Sequence, residues 1–443
     1  MDRESAVPQV DTIPGERAKR WVEHHHKHAA PSTYVYGFVL DARADAIGPF
    51  CTDIDGNVLM DFTCHVASAP LGYNNPLVLD RLGELALIDP LKIAGQDFYI
   101  SGGWPPDDPA ASGPTQLLDR LAELGEPYGL DRIFLSNSGA EAVENAIKIC
   151  YASGGHRAVT FERAFHGRTL GALSLNRSKR VHRKGYPEVP GVISMPYCSC
   201  GDTCTCGWET DGPGGNALAD RLDPDQGNID PDEVAYLIFE PIQGEGGYRQ
   251  PSDFFVDDLK EILERYQIKL IADEIQSGLG RTGSMWGVDH LSLEPDVITS
   301  AKGLRVGATI SSTELFPEEQ GRISSTWGAG NIHASMRGLA TIDAIREEDL
   351  MANVTERGRQ FMELMRDADT PGVTSVRGIG LMLALDCDTK ARREAIIHEA
   401  FERGLLILGC GYKTLRVLPP LDVTEREIEL GAALLTEAIE AAD

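Results

Sequence analysis

Short apolar segments recur along the middle of the chain, and helical stretches separate several of them. Between Ile133 and Ser312 the segments are RIFLS, RAVTF, GVISM, AYLIFEP, IKLIAD, DVITSA and GATISS. Several lack the alternation of a half-exposed strand, whereas GAEAVENAIKICYAS and DFFVDDLKEILERYQ, which lie between segments, have helical spacing. Continuous apolar strands alternating with helices predict an α/β fold with a mostly parallel, seven-stranded sheet that is covered on both faces.

The pattern changes after SSTWGAG, where a long helical stretch is predicted from about Ile332 to Asp367. Then come VTSVRGIGLMLALDC, a helix, GLLILGC, LRVLPPL and a last helix, which together predict a smaller α+β domain. We therefore expect three parts: an N-terminal segment (1–65) that joins the small domain, a large domain (66–325) and the C-terminal small domain (326–443).

Composition narrows the classes of partner. The formal net charge is −27, with 68 acidic residues against 41 basic ones, and only 11 of the basic residues are lysines. Such a field repels phosphate, so nucleic acid and anionic membranes are not expected partners. No apolar run approaches the roughly 20 residues of a membrane helix. We expect a cytoplasmic protein, either from a salt-rich (halophilic) cytoplasm, where screening weakens the self-repulsion, or from an acidic mesophile.

Three neighbouring apolar segments end in ionisable residues. Glu240 follows YLIF, Asp273 follows LIA and Lys302 follows ITSA. Parallel strands present functional residues at their carboxyl ends. A partly buried lysine can act as a nucleophilic amine toward a carbonyl, and a buried carboxylate needs a positive partner, such as a protonated ring nitrogen. Pyridoxal phosphate requires this pair of groups, together with a cradle for its phosphate.

The segment LSNSGAEAVENAIK offers such a cradle. A strand is predicted to end at Leu135, and the small residues Ser138, Gly139 and Ala140 lead into a helix. Free N–H groups at a helix start attract phosphate when no side chain blocks its approach. The hydroxyl groups of Ser325 and Thr326 in SSTWG are predicted to supplement this cradle.

Together these motifs resemble the class III pyridoxal-phosphate-dependent aminotransferases of fold type I, over roughly residues 30 to 440. The resemblance is carried, in order, by NSGAEAVENAIK, AFHGRTLGALSL, EPIQGEGG, IADEIQSGLGRTG, DVITSAKG, SSTWG and LRVLPPL. It is closest to the lysine 6-aminotransferase and 4-aminobutyrate aminotransferase group. Each motif alone is modest evidence, but seven motifs in the order of the family make the resemblance specific.

The resemblance assigns roles to individual residues. It implies that Lys302 binds the cofactor aldehyde covalently and shuttles protons, and that Asp273 pairs with the pyridinium nitrogen. It also implies that Gln276 donates to the phenolic oxygen, that Phe165 stacks on the ring, and that Thr326 reaches the phosphate of a neighbouring subunit. The remaining residues that we assign to cofactor binding are Ser138, Gly139, Ala140, His166, Glu240 and Ser325. Shared sites of this kind imply a homodimer, either alone or as a dimer of dimers.

The resemblance also points to a class of substrate. Arg168, in FHGRT, falls where these families place the arginine that binds the carboxylate of an ω-amino donor, and a planar guanidinium suits that task. Glu245 and Arg416 match a pair in which the glutamate masks the arginine until 2-oxoglutarate or glutamate binds. The implied reaction is ping-pong transfer of a terminal amine, of the lysine, ornithine or 4-aminobutyrate type, to 2-oxoglutarate. Both arginines could instead form structural ion pairs.

Two other kinds of function remain open at this point. An α-amino acid aminotransferase, a racemase, a decarboxylase or an aminomutase would share Lys302 and Asp273, because fold and cofactor do not fix the reaction. A protein from another class, a metal-binding or regulatory protein with a degenerate site, is disfavoured because the cofactor-binding positions are intact.

The segment YCSCGDTCTCGW places Cys198, Cys200, Cys204 and Cys206 within nine residues. Four thiolates at such spacing could hold a structural zinc ion or an iron–sulfur centre. The spacing C-x-C-x3-C-x-C differs from the usual C-x2-C pairs of zinc sites. A cysteine-rich surface loop or a redox pair are the alternatives.

Overall fold

The computed structural model describes residues 1–33, 36–83, 105, 108, 113–323, 332–368 and 370–442. The strands are β1 Phe50–Thr52, β2 Val58–Asp61, β3 Arg132–Ser136, β4 Arg157–Phe161, β5 Val192–Met195, β6 Val234–Phe239, β7 Lys269–Asp273, β8 Val297–Ser300, β9 Gly307–Ser311, β10 Val373–Ile379, β11 Met382–Cys387, β12 Leu405–Leu406, β13 Leu408–Cys410 and β14 Thr414–Val417. The helices are α1 Glu16–His26, α2 Cys64–Ala67, α3 Pro76–Gly83, α4 Pro114–Gly125, α5 Gly139–Ser153, α6 Leu170–Leu175, α7 Arg180–Arg183, α8 Ala219–Leu222, α9 Asp253–Tyr266, α10 Ile332–Glu347, α11 Leu350–Asp367, α12 Lys390–Glu402 and α13 Glu425–Ala441.

The chain divides into two compact units. One consists of Met1–Leu79 and Glu348–Asp443, and the other of Asp80–Glu347. We refer to them as the small unit and the large unit. The boundaries expected from the sequence, after residues 65 and 325, stay a prediction, and the second lies outside the described residues.

A seven-stranded sheet forms the centre of the large unit, in the order β3-β9-β8-β7-β6-β4-β5. The four strand pairs from β8 to β5 are parallel, whereas β9 is antiparallel to both of its neighbours, β8 and β3. Every residue of β6, β8 and β9 is buried, which explains why these segments read as continuous apolar runs. The predicted α/β fold with a mostly parallel seven-stranded sheet is therefore confirmed.

Helix α5 shows how the sheet is covered. Its residues Val143, Ala146, Ile147 and Cys150 recur at helical spacing and belong to one buried cluster with residues of β4, β6, β7 and β8. The helix begins directly after β3, with only Asn137 and Ser138 between them. Because the packing face fixes the orientation of the helix, it also fixes the position of its N-terminal turn.

The turn between β8 and β9 explains the antiparallel strand. It contains only residues 301–306, too few for the crossover that a parallel connection needs. Arg305 adopts the left-handed conformation, with φ +62°, and its N–H donates to the carbonyl of Ala301 at 2.9 Å. A non-glycine residue in this region is strained, and the turn reverses the chain directly after Lys302.

The small unit combines the two ends of the chain. Strands β1 and β2 form a three-stranded sheet with β12, and an antiparallel sheet has the order β10-β11-β14-β13. The side-chain amide of Asn353 on α11 donates to the carbonyls of Leu421 and Val423 at 2.8 and 3.0 Å, which fixes that helix to the segment before α13. Within the described ranges, no helix combines the length and apolar character needed to cross a bilayer.

Candidate active site

Three adjacent strands bring the predicted ionisable residues to one edge of the large sheet. Strands β6, β7 and β8 are neighbours and parallel, with Phe239 opposite Ala272 and Asp273 opposite Thr299. Glu240, Asp273 and Lys302 therefore all lie at the edge of the sheet where these three strands end. We call this the carboxyl edge. Glu240 and Asp273 are 6 % and 4 % exposed, and Lys302 is half-buried. The edge therefore holds two buried acids and one half-buried lysine.

A histidine and two weaker donors hold the carboxylate of Asp273. The Nδ1 atom of His166 lies 2.7 Å from Oδ2, and Oδ1 accepts from the N–H of Ile275 at 3.2 Å and from the hydroxyl of Thr299 at 3.3 Å. An ionised carboxylate only accepts hydrogen bonds, so Nδ1 of His166 carries the hydrogen. The other ring nitrogen, Nε2, is buried and has no partner among the described residues.

Glu240 braces two loops of the site against each other. Its Oε1 accepts from the N–H of Phe165 at 3.0 Å, and its Oε2 accepts from the N–H of Gly244 at 2.9 Å. Burial is the main cause that raises the pKa of Glu240 to about 7. The nearby Asp273 acts in the same direction, and His166 and the two N–H donors act against it. Since both oxygens are bound to backbone N–H groups, the structure places Glu240 as a brace between AFHG and EPIQGEGG.

Asn176 orients the AFHG turn and was not recognised in the sequence. Its Oδ1 accepts from the N–H of His166 at 2.6 Å, and its Nδ2 donates to the carbonyl of Gly167 at 2.7 Å. The only signal in the sequence is a polar residue directly after the apolar helix α6. In the structure, Asn176 is 1 % exposed. Asn176 therefore satisfies two backbone groups of the turn that carries Phe165 and His166.

Gln276 lies close to the loop that follows β6. A Cβ atom at Gly244 would come within 2.8 Å of Nε2 of Gln276, so a larger residue here would force the amide to shift. Gln276 is 9 % exposed, and its Oε1 is buried with no partner among the described residues. A buried amide oxygen in this state leaves hydrogen-bonding capacity available for a bound molecule.

The predicted phosphate cradle lies at the start of α5. Ser138 is the N-cap, and its hydroxyl accepts from the N–H of Glu141 at 3.2 Å. A Cβ atom at Gly139 would meet the side chain of Ile275 at 2.8 Å, and one at Gly167, where φ is +140°, would meet the Cβ of Ala140 at the same distance. These glycines allow the helix start, the segment after Asp273 and the AFHG turn to pack closely together.

The carboxylate of Glu141 also occupies this helix start. It accepts from the backbone N–H of Asn137 at 2.7 Å and from its side-chain amide at 3.0 Å. An acid in the first turn is favourable because of the helix dipole. Ser325 and Thr326, the other predicted phosphate ligands, lie outside the described residues.

Arg168 and His182 lie beside the ring of Phe165, and a charged pair lies near His182. The guanidinium carbon of the exposed Arg168 lies 5.8 Å from the centroid of the Phe165 ring, and the ring of His182 contacts it edge-on at 5.3 Å. Nζ of Lys179 forms an ion pair with Oε2 of Glu245 at 2.8 Å. We call Arg168, Lys179, His182 and Glu245 the charged group.

The pKa of His182 shows that the members of the charged group influence one another. Burial lowers it, and the positive charges of Arg168 and Lys179 lower it further, whereas Glu245 raises it. The sequence did not indicate a role for Lys179 or His182, because neither α7 nor the residue before it belongs to a recognisable motif. Arg416, the predicted partner of Glu245, is buried on β14 of the small unit.

The four predicted metal ligands form a separate group. The sulfur atoms of Cys198, Cys200, Cys204 and Cys206 all lie within 4.8 Å of one another. Bends at residues 201–203 fold the segment back on itself, which brings the two C-x-C pairs together.

Comparison with known proteins identifies the family. The profile of the aminotransferase class-III family matches residues 38–439. The chain is 31 % identical, over 421 residues, to an acetylornithine aminotransferase of Archaeoglobus fulgidus, covering 94 % of this chain and 99 % of that one. It is 30 % identical, over 446 residues, to an alanine/serine racemase of Pyrococcus horikoshii, covering 96 % and 91 %. Among solved structures, it superposes on lysine aminotransferase from M. tuberculosis with a TM-score of 0.81 and 27 % identity, over 96 % of this chain and 99 % of that one.

The fold is that of the fold type I transferases that depend on pyridoxal phosphate, as the sequence predicted. The chain belongs to the class III aminotransferases. The predicted enzyme class, an aminotransferase, is likewise confirmed.

The residues present fit the cofactor that this family uses. Two buried polar atoms, Nε2 of His166 and Oε1 of Gln276, have no partner in the described part of the chain. The backbone at Gly139 passes so close to Ile275 that a Cβ atom there would force the isoleucine side chain to shift. Pyridoxal phosphate has polar ring substituents and a phosphate, which match unsatisfied polar atoms beside a helix start without a large side chain.

Proposed function

We propose that this enzyme moves the terminal amino group of an ω-amino acid or diamine to 2-oxoglutarate by a ping-pong mechanism, with pyridoxal 5'-phosphate on Lys302. One observation carries the choice of donor class: Arg168 lies exposed beside the ring of Phe165, within a group that also holds Glu245. An ω-amino donor must be held by its carboxylate while its distant amine reacts, and an arginine is suited to that contact.

When bound, pyridoxal phosphate supplies an aldehyde for amino groups and a ring that takes up the electron pair left by a departing proton. The chain supplies the rest. Lys302 Nζ, at the end of β8, would take the proton from the donor carbon and return it. The carboxylate of Asp273, held by His166, Ile275 and Thr299, would keep a ring nitrogen protonated. The helix start at Ser138, Gly139 and Ala140, with Thr326, would bind the phosphate.

Phe165 and Gln276 would fix the orientation of the ring. Phe165 offers an aromatic face at the AFHG turn, whose backbone Glu240 and Asn176 hold in place. Gln276 would donate to the phenolic oxygen. Aromatic contact adds a modest gain to burial, so orientation rather than affinity is the expected contribution of Phe165.

Glu245 and Arg416 would serve the second half of the reaction. In the proposed scheme, Glu245 masks Arg416 while the donor is bound and releases it to bind 2-oxoglutarate. The ion pair between Lys179 and Glu245 supports a role for Glu245 in charge balance, because the lysine can hold the glutamate when it leaves the arginine.

The assembly and the location are part of the proposal. A homodimer with shared sites, alone or paired into a tetramer, would let Thr326 reach the phosphate of the neighbouring subunit. The net charge of −27 supports a well-solvated protein of the cytoplasm, in a salt-rich or an ordinary acidic setting. Sedimentation at several salt concentrations measures the assembly directly.

A panel of amino donors with 2-oxoglutarate, scored for glutamate, tests the proposal. We expect glutamate from N-acetylornithine, ornithine, lysine or 4-aminobutyrate. Arg168→Ala should raise the KM for the productive donor by about 10- to 100-fold, a loss of a few kcal/mol typical of a charged hydrogen bond. The control Arg180→Ala, at an exposed arginine on α7, should leave the KM unchanged. Glutamate formation from α-amino acids alone would contradict the assignment of Arg168.

A second candidate is racemisation of a small amino acid. It is favoured by the similarity to the alanine/serine racemase of Pyrococcus horikoshii, and it would use the same lysine and aspartate. Formation of D-alanine or D-serine from the L-enantiomers, without 2-oxoglutarate and without glutamate, would select this candidate over the first.

A further inference from the structure

The cysteine loop, residues 198–206, contains a compact group of sulfur atoms that the proposed reaction does not use. The sulfur atoms of Cys198 and Cys204 lie 3.9 Å apart, and those of Cys204 and Cys206 lie 3.6 Å apart. All four sulfur atoms lie within 4.8 Å of one another. In the described part of the chain, this is the one group of at least three metal-ligating side chains with such convergence.

The distances fit a single tetrahedral ion. With a zinc–sulfur bond of about 2.3 Å, two sulfur ligands of one ion lie roughly 3.8 Å apart. A disulfide would need about 2.05 Å between sulfur atoms, much shorter than either of these separations. An iron–sulfur cluster distributes its thiolates over several iron atoms, so it requires a wider set of sulfur atoms than this one.

Local charge also favours a cation. Four cysteines so close together would repel one another if all were thiolates, and the chain as a whole is acidic. Backbone groups offset part of this charge: the N–H of Thr205 donates to Cys200 Sγ at 3.3 Å, and the N–H of Glu209 donates to Cys204 Sγ at 3.4 Å. Such N–H donors orient the sulfur ligands of a metal and stabilise their charge. A divalent ion would neutralise the remainder.

We propose that Cys198, Cys200, Cys204 and Cys206 bind one structural zinc ion. Four protein ligands complete the tetrahedron and leave no position for water or substrate, which is the arrangement of a structural site and not of a catalytic one. The ion would close a nine-residue loop that has no regular secondary structure of its own.

The loop is attached to a buried aromatic cluster on either side of the sulfur atoms. Tyr197 and Trp208 flank it and pack against Phe255 on α9, with ring centroids 5.4 and 4.6 Å away. Trp208 Nε1 donates to Asp258 at 2.6 Å, and the N–H of Ser252 donates to the carbonyl of Cys198 at 3.0 Å. The ion would therefore fix both ends of the loop where they enter the core.

One of these aromatic residues connects the loop to the candidate active site. The hydroxyl of Tyr197 lies 3.3, 3.1 and 3.3 Å from the carbonyls of Glu240, Pro241 and Arg249, the segment that also carries Glu245. Loss of the ion should release Cys198 and loosen the anchoring of Tyr197. The zinc site would thus support the loop of Glu240 and Glu245 from outside the site.

Metal analysis of freshly purified holoenzyme tests the proposal directly. We expect one equivalent of zinc per chain. The double variant Cys200→Ser and Cys206→Ser should lose it, whereas two controls should retain it: Thr203→Ala, at an exposed position of the same loop, and Cys150→Ala, at a buried cysteine on α5. If the double variant fails to fold, the wild-type metal content still decides, because it requires no substitution.

Three outcomes would overturn the proposal. One is less than a tenth of an equivalent of zinc in the wild type. Another is an equivalent of iron in its place. The third is a loss of two or four hydrogen masses in the peptide of residues 198–206 after alkylation without reductant, which would demonstrate disulfides instead of bound thiolates.

Discussion

The carboxyl edge and the cysteine loop each gather ionisable side chains, but the chain brings them together in different ways. Glu240, Asp273 and Lys302 are far apart in sequence, and the register of three parallel strands places them side by side. The four cysteines lie within nine residues of an irregular loop. The acids at the edge are held by backbone or side-chain donors, whereas the sulfur atoms contact one another as well as nearby backbone N–H groups. The edge is preformed by the sheet, whereas the loop would depend on the zinc ion that we propose.

Lys302→Ala should have the largest effect. It removes the amine that we propose as both the attachment point of the cofactor and the carrier of the proton, so we expect a loss of activity of roughly 10⁴-fold, the upper end for one positioned acid or base. The thermal midpoint should change little, because the sheet forms without this side chain. Turnover and the visible absorption of the bound cofactor are the measurements.

The matched control for Lys302 is Lys269→Ala, at the amino end of the neighbouring strand β7. Lys269 forms an ion pair with Asp296 at 3.0 Å and lies at the opposite edge of the sheet. Its loss should leave activity intact. Equal losses in the two variants would contradict the view that the carboxyl edge carries the chemistry.

Asp273→Asn should rank next. It keeps the size of the side chain and one oxygen acceptor but removes the charge that supports a protonated ring nitrogen. Loss of one such electrostatic contact costs about 10²–10³-fold in turnover. We expect cofactor binding to be weakened and not abolished, and single-turnover kinetics to separate the two effects. A half-reaction of normal rate would rule out this role for Asp273.

Loss of the proposed metal from the cysteine loop should reduce activity less than either substitution at the carboxyl edge. Its main effect should be on stability. We expect the variant lacking Cys200 and Cys206 to lose about 2 kcal/mol, which in a unit of this size lowers the Tm by roughly 4–8 °C. Calorimetry of the holoenzyme measures this. A Tm like that of Thr203→Ala would mean that the loop forms without its ligand and that the contrast with the carboxyl edge is false.

Glu240→Gln should have the smallest effect, visible as a dependence on pH. Burial raises the pKa of Glu240 from 4.5 to about 7. Between these values the folded state keeps a proton that the unfolded state has released, so stability present below pH 4.5 is lost as the pH rises toward 7. The variant lacks this titration, and its Tm should fall less than that of the wild type between about pH 5 and about pH 7.5. The amide will disturb one N–H contact at every pH, so only the slope of Tm against pH is diagnostic. Parallel slopes for the wild type and the variant would contradict the raised pKa.

The sequence predicted the sheet well because fully buried parallel strands appear as uninterrupted apolar runs. It also placed Glu240, Asp273 and Lys302 correctly at strand ends. It did not reveal that β9 runs antiparallel, because that depends on the length and the left-handed turn of residues 301–306.

The residues that were missed are those defined only by distant contacts. Asn176 binds the backbone of the AFHG turn ten residues away, and Lys179 pairs with Glu245 from a separate helix-flanking segment. Neither stands in a recognisable motif, and an exposed lysine beside a short helix resembles any surface lysine. The cysteines were visible as a group, but only the bends in the loop showed that their sulfur atoms converge.

The most direct test of the central claim is to locate the cofactor on the chain. Borohydride reduction of freshly purified enzyme, followed by digestion and mass spectrometry, fixes pyridoxal phosphate on the amine that holds it. The chain has 11 lysines. We predict the added mass on the peptide containing Lys302 and on no other lysine. Stoichiometric labelling of another lysine, or the absence of any labelled peptide, would contradict the account.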